Sequence, residues 1–107
     1  MKYKNHKTKV DGIVFDSKRE ADRWLVLRIL EETGEISNLR RQVKFVLVEG
    51  KRWSDGHKHR DITYIADFVY NDGGKTIVED VKGFKTPVYI IKRELMKAVH
   101  NIEIVEV

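Results

Sequence analysis

The sequence predicts one α/β domain with a mixed β-sheet flanked by helices, and three observations predict it. Two apolar runs within residues 62–83, joined by a glycine-containing turn, read as a β-hairpin. Two stretches with helical periodicity and capping signals are interleaved with strand-like segments. The chain has 107 residues, one proline and neither repeats nor a linker, so a single domain over 1–107 with one core is expected.

In chain order, "KVDGIVF" holds an Asp-Gly turn between Val10 and Ile13 to Phe15, a small opening hairpin. Ser17-Lys18-Arg19-Glu20 is a capping-box pattern, and "ADRWLVLRILEETG" continues it as a helix closed by Gly34. "LRRQVKFVLVE" alternates over Val43, Phe45 and Leu47 and reads as a strand. The two strands of the 62–83 hairpin follow, joined at Asn71 to Gly74. Thr86 and Pro87 supply an N-cap and a first-turn residue for a second helix, with Val88, Ile91, Leu95 and Val99 on one stripe. Asn101 ends it, and "IEIVEV" reads as a last short strand. The resulting order is β-hairpin, α, β, β, β, α, β.

Composition narrows the function classes. The chain lacks cysteine, which excludes disulfides and thiolate chemistry and fits a reducing, cytoplasmic setting. No apolar run approaches the roughly 20 residues needed to span a bilayer, and the basic start lacks the apolar segment of a signal peptide, so no membrane is expected. The net charge is +4, a modest excess that favours anionic partners such as nucleic acid. It is concentrated in Lys2, Lys4, Lys7 and Lys9 and in a stretch from Arg40 through Lys51, Arg52, Lys58 and Arg60. Solubilising charge explains such clusters as well as phosphate contact does; on the second reading Trp53 offers a stacking surface for a base. His57 and His59 invite a zinc site, but no further His or Cys stands at ligand spacing.

The 62–83 hairpin raises the sharpest question, because Asp67, Asp80 and Lys82 interrupt its apolar runs. A carboxylate in such a strand loses hydration and must be paired or bind a cation. With a turn centred on Asp72-Gly73, Asp67 falls opposite Val78 and shares a face with Asp80 and Lys82. The two aspartates are then diagonal neighbours, about 7 to 8 Å apart at the backbone, within reach of one hard cation bound at about 2.1 Å. Lys82 projects from the same face toward a phosphate or a water beside the metal, an arrangement suited to phosphodiester hydrolysis.

These residues resemble the PD-(D/E)XK nuclease superfamily: Asp67, then Asp80-Val81-Lys82 after a short hairpin, with Glu20 on a preceding helix. "FDSKREADRW", "YIADFVY", "VEDVKG", Thr86 and Lys92 resemble a family of small phage-encoded proteins within it, akin to Holliday-junction resolvases and the endonuclease subunits of some transposons. The resemblance spans almost the whole chain and implies an αβββαβ core of the restriction-endonuclease type. It implies Mg²⁺ or Mn²⁺ bound by Asp67, Asp80 and the Val81 carbonyl, Glu20 completing the metal shell, and Lys82 orienting the nucleophilic water. It further implies duplex or branched DNA as substrate, a homodimer, and a role in phage replication, recombination or packaging in a bacterial host. Ala66 stands where the superfamily's name has proline.

Each assignment has a competitor. Glu20 is three residues after Ser17 and can cap its helix, although Trp24 and Leu27 continue its stripe and turn it inward; the two roles do not exclude each other. Asp67 and Asp80 can act as edge-strand gatekeepers, which explains one interruption well and three on one face poorly. Glu79 is expected on the opposite face, at the surface or paired with a lysine. Gln42, Lys85, Thr86 and Lys92 are expected to serve phosphates or the site's periphery, and Arg93 and Lys97 to lie on a solvated helix face. The alternative from another class is a non-catalytic DNA-binding or assembly module retaining the fold; a third reading, a small scaffold protein, predicts no metal binding.

Overall fold

A computed structural model of the protein describes residues 6–107. Lys2 and Lys4, half of the basic start, lie outside the described residues. The elements follow the expected order: a hairpin of β1 (Thr8–Val10) and β2 (Ile13–Phe15), helix α1 (Lys18–Glu32), strands β3 (Ser37–Val48), β4 (Ile62–Asp72) and β5 (Lys75–Asp80), helix α2 (Pro87–His100) and strand β6 (Val105–Glu106). The four-stranded sheet has the order β3-β4-β5-β6. Its first three strands are antiparallel, and β6 returns parallel to β5 after α2, so the sheet is mixed. The molecule is a single small α/β domain. No helix among the described residues is long and apolar enough to cross a membrane.

Local chemistry accounts for the element ends. The Ser17 hydroxyl accepts from the Glu20 N–H at 3.1 Å and starts α1. At its other end Gly34, at φ +82°, sends its N–H to Glu31 and the Glu35 N–H to Leu30, the paired bonds of a Schellman stop. Thr86 caps α2 by accepting from the Tyr89 N–H, Pro87 follows, and Asn101 ends the helix in a left-handed turn.

Two apolar clusters form the core, one under each helix. Phe15, Ala21, Leu27, Ile36, Phe68 and Tyr70 pack between α1, the opening hairpin and one face of the sheet. Leu47, Tyr64, Ala66, Val69, Val78, Tyr89 and Met96 fill the space between α2 and the other face. Each fully buried Phe, Leu, Val or Met among them contributes roughly 1.5–3 kcal/mol.

Three expectations differ from the observed fold. The hairpin turn is Gly73-Gly74, with Asp72 paired to Lys75, rather than Asp72-Gly73. Both glycines have positive φ, +57° and +83°, as a two-residue turn matching the strand twist requires, and glycine meets that without a Cβ clash. The stripe Val88, Ile91, Leu95, Val99 on α2 is not the buried one: Val88 and Ile91 are 61% and 60% exposed, and Tyr89 and Met96 face the sheet instead, with Leu95 at the margin. Arg93 is half-buried and donates to Glu106 at 3.2 Å, so it is not on a solvated face, whereas Lys97 is exposed and pairs with Glu103. Residues 49–61, which carry the second basic stretch, form an irregular loop between β3 and β4 that one bridge and its hydrogen bonds close into an arm. The radius of gyration, 16.0 Å, exceeds the roughly 13 Å of a compact domain of this length, in keeping with such outlying hairpins.

Candidate functional site

The β4–β5 register places the acids. Phe68 pairs with Glu79 and Val69 with Val78, so one step further sets Asp67 directly opposite Asp80 rather than diagonal to it. Moving the turn by one residue changes every cross-strand partner by two, which preserves the faces. Asp67 and Asp80 therefore share the α2 side of the sheet, and Glu79 points to the opposite face as expected, where it meets α1. Glu79 is neither at the surface nor paired with lysine: it is buried, and Arg23 meets it with bonds of 2.7 and 2.6 Å while the Tyr70 hydroxyl donates a third.

An irregular residue of β3 lies across from Asp67. Tyr64 and Ala66 pack in the α2-side cluster, whereas Phe68 and Tyr70, of the same parity, pack on the α1 side. Alternation therefore fails at Asp67. Its neighbour on β3, Gln42, has φ +52°, a conformation costly for a residue with a Cβ, and falls between the paired positions Arg41↔Phe68 and Val43↔Ala66. The Gln42 amide in turn donates to the Glu20 carboxylate at 3.4 Å.

β5 ends at Asp80, and a cleft of about 300 Å³ opens there, lined by Asp67, Asp80, Lys82, Thr86 and Lys92 together with Tyr64 and Tyr89. Asp67 Oδ2 accepts from the Val81 N–H at 2.8 Å, which pins the chain where it leaves the ladder. Asp80 accepts from the Tyr64 hydroxyl, and Lys82 Nζ stands 3.2 Å from its other oxygen and 4.3 Å above the Tyr89 ring. The structure thus brings together Asp67, Asp80, Val81 and Lys82. Glu20 is buried on α1 with its carboxylate on Gln42, close enough to the aspartates for mutual repulsion.

The electrostatics are unbalanced. Burial, followed by the charges of Asp80 and Glu20 and a hydrogen bond shared with Asp80, lifts the Asp67 carboxyl to about 7, against the lowering effect of the Val81 N–H. Burial and the charges of Asp16 and Asp80 raise Glu20 too, opposed by Arg41 and Lys82. Burial and the bond to Asp80 keep the Tyr64 hydroxyl protonated far above its ordinary range. Among the described residues, no group of three or more His, Cys, Asp or Glu side chains stands together as a metal site.

The remaining expected residues are dispersed. Lys92 is half-buried in the cleft and Thr86 lines it while capping α2, but Lys85 is exposed and lies 3.4 Å from Glu106. Lys51, Arg52, Lys58 and Arg60 lie on the 49–61 arm, exposed and outside the cleft. His57 stands beside Asp55, and His59 stacks on Trp53. Sequence reasoning missed Tyr64, Tyr89 and Arg19, whose guanidinium holds the Lys82 and Val107 carbonyls at 3.3 and 3.1 Å. The tyrosines carried a signal, since a buried tyrosine hydroxyl must find a partner; Arg19 carried none.

Fold and cleft together define a small α/β protein with an acidic pair and a lysine gathered at the open end of a mixed sheet. A family model described as "Protein of unknown function (DUF1064)" matches residues 1–104, and the chain belongs to that family. No curated protein and no solved structure matches it.

Proposed function

We propose that the protein is a divalent-metal-dependent DNA endonuclease using the site scheme of the PD-(D/E)XK superfamily. The observation that carries this reading is the convergence of Asp67, Asp80 and Lys82 in one cleft at the end of β5. The order α1, β3, β4, β5, α2, β6 supports it, being the αβββαβ order of that superfamily's core.

The residues suit a hard cation: two carboxylates in hydrogen-bond contact need a proton or a cation between them, and oxygen donors are what Mg²⁺ or Mn²⁺ takes. Asp67, Asp80 and the Val81 carbonyl would hold the ion, with Glu20 completing its surroundings. Once bound, it would supply an activated water and charge to screen the phosphate. Lys82, steadied by Asp80 and the Tyr89 ring, orients the attacking water. Asp67 fixes the Val81 peptide through its N–H. Lys92 and Thr86 receive the phosphate within the cleft; Lys85 contacts the backbone at its mouth and the arm's bases farther along it. Cutting two strands or a branch calls for two such sites, and the exposed Ile91 and Val99 of α2 offer a homodimer surface. A phage replication, recombination or packaging role in a bacterial host follows the same reading.

One observation favours the second reading, a non-catalytic DNA-binding or assembly module. Asp67 is engaged by Val81 and Asp80 by Tyr64 and Lys82, and among the described residues no third His, Cys, Asp or Glu completes a metal-binding group with them. A cleavage assay over linear, flap, single-stranded and four-way-junction DNA, with Mg²⁺, Mn²⁺ or EDTA, separates the two. Metal-dependent cutting of any of these upholds the nuclease; binding without cutting selects the module.

A further inference from the structure

The arm between β3 and β4 is more ordered than a charge-bearing loop needs to be. Arg52 and Lys58 form an antiparallel bridge, the His59 N–H donates to Lys51 and the Trp53 N–H to His57, both at 2.9 Å. Arg52 also reaches the Gly56 carbonyl at 2.7 Å, closing the tip. At the root, a Cβ on Gly50 would stand 1.9 Å from the His59 carbonyl oxygen, so only glycine lets the two sides approach this closely. Asp55 and Asp61 are occupied by the arm's own His57 and Gly50 N–H groups. Lys51, Arg52, Lys58 and Arg60 enter no ion pair among the described residues and face solvent.

This scaffold presents an indole. Trp53 stacks on His59 with ring centroids 3.8 Å apart and an interplanar angle of 21°, yet it remains 59% exposed. One face is supported by the imidazole and the other is left to solvent, on an arm that contributes no residue to either apolar cluster. A preformed aromatic platform among outward-facing cations is what a base and its flanking phosphates require.

The cleft leads toward it. Thr63 and Ile65 line the same cleft as Asp67, and the arm is rooted one residue beyond, before Ile62. From Asp67 back to Ile62 is five residues of β4, about 17 Å at ~3.3 Å each, or roughly five nucleotide steps at ~3.4 Å.

We propose that Trp53 is a stacking platform for an unpaired base of a DNA strand entering the Asp67–Asp80 cleft, and that the arm thereby selects single-stranded or splayed DNA over continuous duplex. This deepens the nuclease reading and rests on it for the path of the strand. In a closed duplex both faces of every base are already stacked, so the platform gains nothing there.

The test is a set of binding measurements in EDTA with a single-stranded oligonucleotide, the matching duplex and a splayed fork. Single-stranded and forked DNA should quench tryptophan emission in the wild type. The quenching should vanish in Trp53→Phe, because Trp24 is packed near Phe15 and Phe68 and its Nε1 donates to Asp11. Trp53→Ala should weaken fork and single-strand binding about 10- to 100-fold. Its duplex affinity and salt slope should stay unchanged. Replacing Lys51, Arg52, Lys58 and Arg60 together by Gln should instead weaken all three complexes and flatten the log–log salt slope by about 3 to 4. DNA bound without quenching, or equal losses on duplex and fork in Trp53→Ala, overturns the proposal; the wild-type quenching decides it even where a variant arm fails to fold. These measurements involve no cleavage, so their failure leaves the nuclease reading to the Mg²⁺ assay.

Discussion

Glu79 faces α1, where Arg23 grips both its oxygens and Tyr70 donates to it; Asp80, the next residue, faces α2 across from a second carboxylate. Both are almost wholly buried, 1% and 2% exposed. On the α1 side one guanidinium balances one carboxylate. On the α2 side Asp67 and Asp80, joined in repulsion by Glu20 from α1, are set against Lys82, with Arg41 acting on Glu20. A buried acid that merely docks a helix is matched in charge and geometry, as Glu79 is. An excess of carboxylate at an open cleft costs stability and calls for a cation from solution.

Four measurements test that contrast, beginning with the effect on activity. Asp80→Asn should lower DNA cleavage at least a hundredfold, about 2.7 kcal/mol in barrier height, because a hard cation loses a charged ligand. Glu79→Gln, assayed where it is folded, should keep the wild-type rate; an equal loss in both variants would erase the distinction between the faces.

Stability should reverse the ranking. Glu79→Gln leaves Arg23 facing a neutral amide at a buried site and should cost about 2–3 kcal/mol, below the fully buried range because Arg23 is 30% exposed. That lowers the thermal midpoint by on the order of 10 °C. Asp80→Asn in EDTA should leave the midpoint equal or higher, since it relieves repulsion with Asp67. A larger loss for Asp80→Asn than for Glu79→Gln would make Asp80 a structural residue.

Metal sharpens the contrast further. Mn²⁺ should stabilise the wild type by about 2.7 kcal/mol at a hundred times its dissociation constant, and Asp80→Asn should abolish that gain, as read by thermal melts. Glu79→Gln should retain it. Identical Mn²⁺ responses in all three proteins would place the ion elsewhere.

The fourth measurement concerns pH. Asp67 titrates near 3.8 when unfolded and at about 7 when folded, so between these values the native state holds a proton that the unfolded chain has released. Raising the pH through that window therefore weakens the fold: the penalty is absent below it and complete above it. In EDTA the midpoint of Asp67→Asn should gain on the wild type from about pH 4 to about pH 7 and then hold a constant lead. A gap that stays flat across this range would mean that Asp67 is not held under repulsion.

What could be read directly from the sequence was local. Ser17, Gly34, Thr86, Pro87 and Asn101 mark helix ends because capping and left-handed φ depend on a residue and its near neighbours. Alternation put Asp67, Asp80 and Lys82 on one face, and this survived a misplaced turn because shifting the turn by one residue moves partners by two. The family resemblance had named the same residues, and their convergence was a matter of parity.

Tertiary structure decided the rest, because it depended on which groups meet across the fold. On α2 the helical period was legible but its phase was not: the sheet-facing stripe runs through Tyr89, Lys92, Arg93 and Met96, and its two cations serve the cleft and Glu106. A hydrophobicity pattern therefore selected Val88 and Ile91, which the fold leaves in water. The pairing of Arg23 with Glu79 spans 56 positions and leaves no trace in local pattern. The same holds for the left-handed Gln42 that lies across from Asp67, and for the Gly50 contact that makes residues 49–61 an arm. Both arise where two backbones approach each other, and neither partner's sequence alone records that approach.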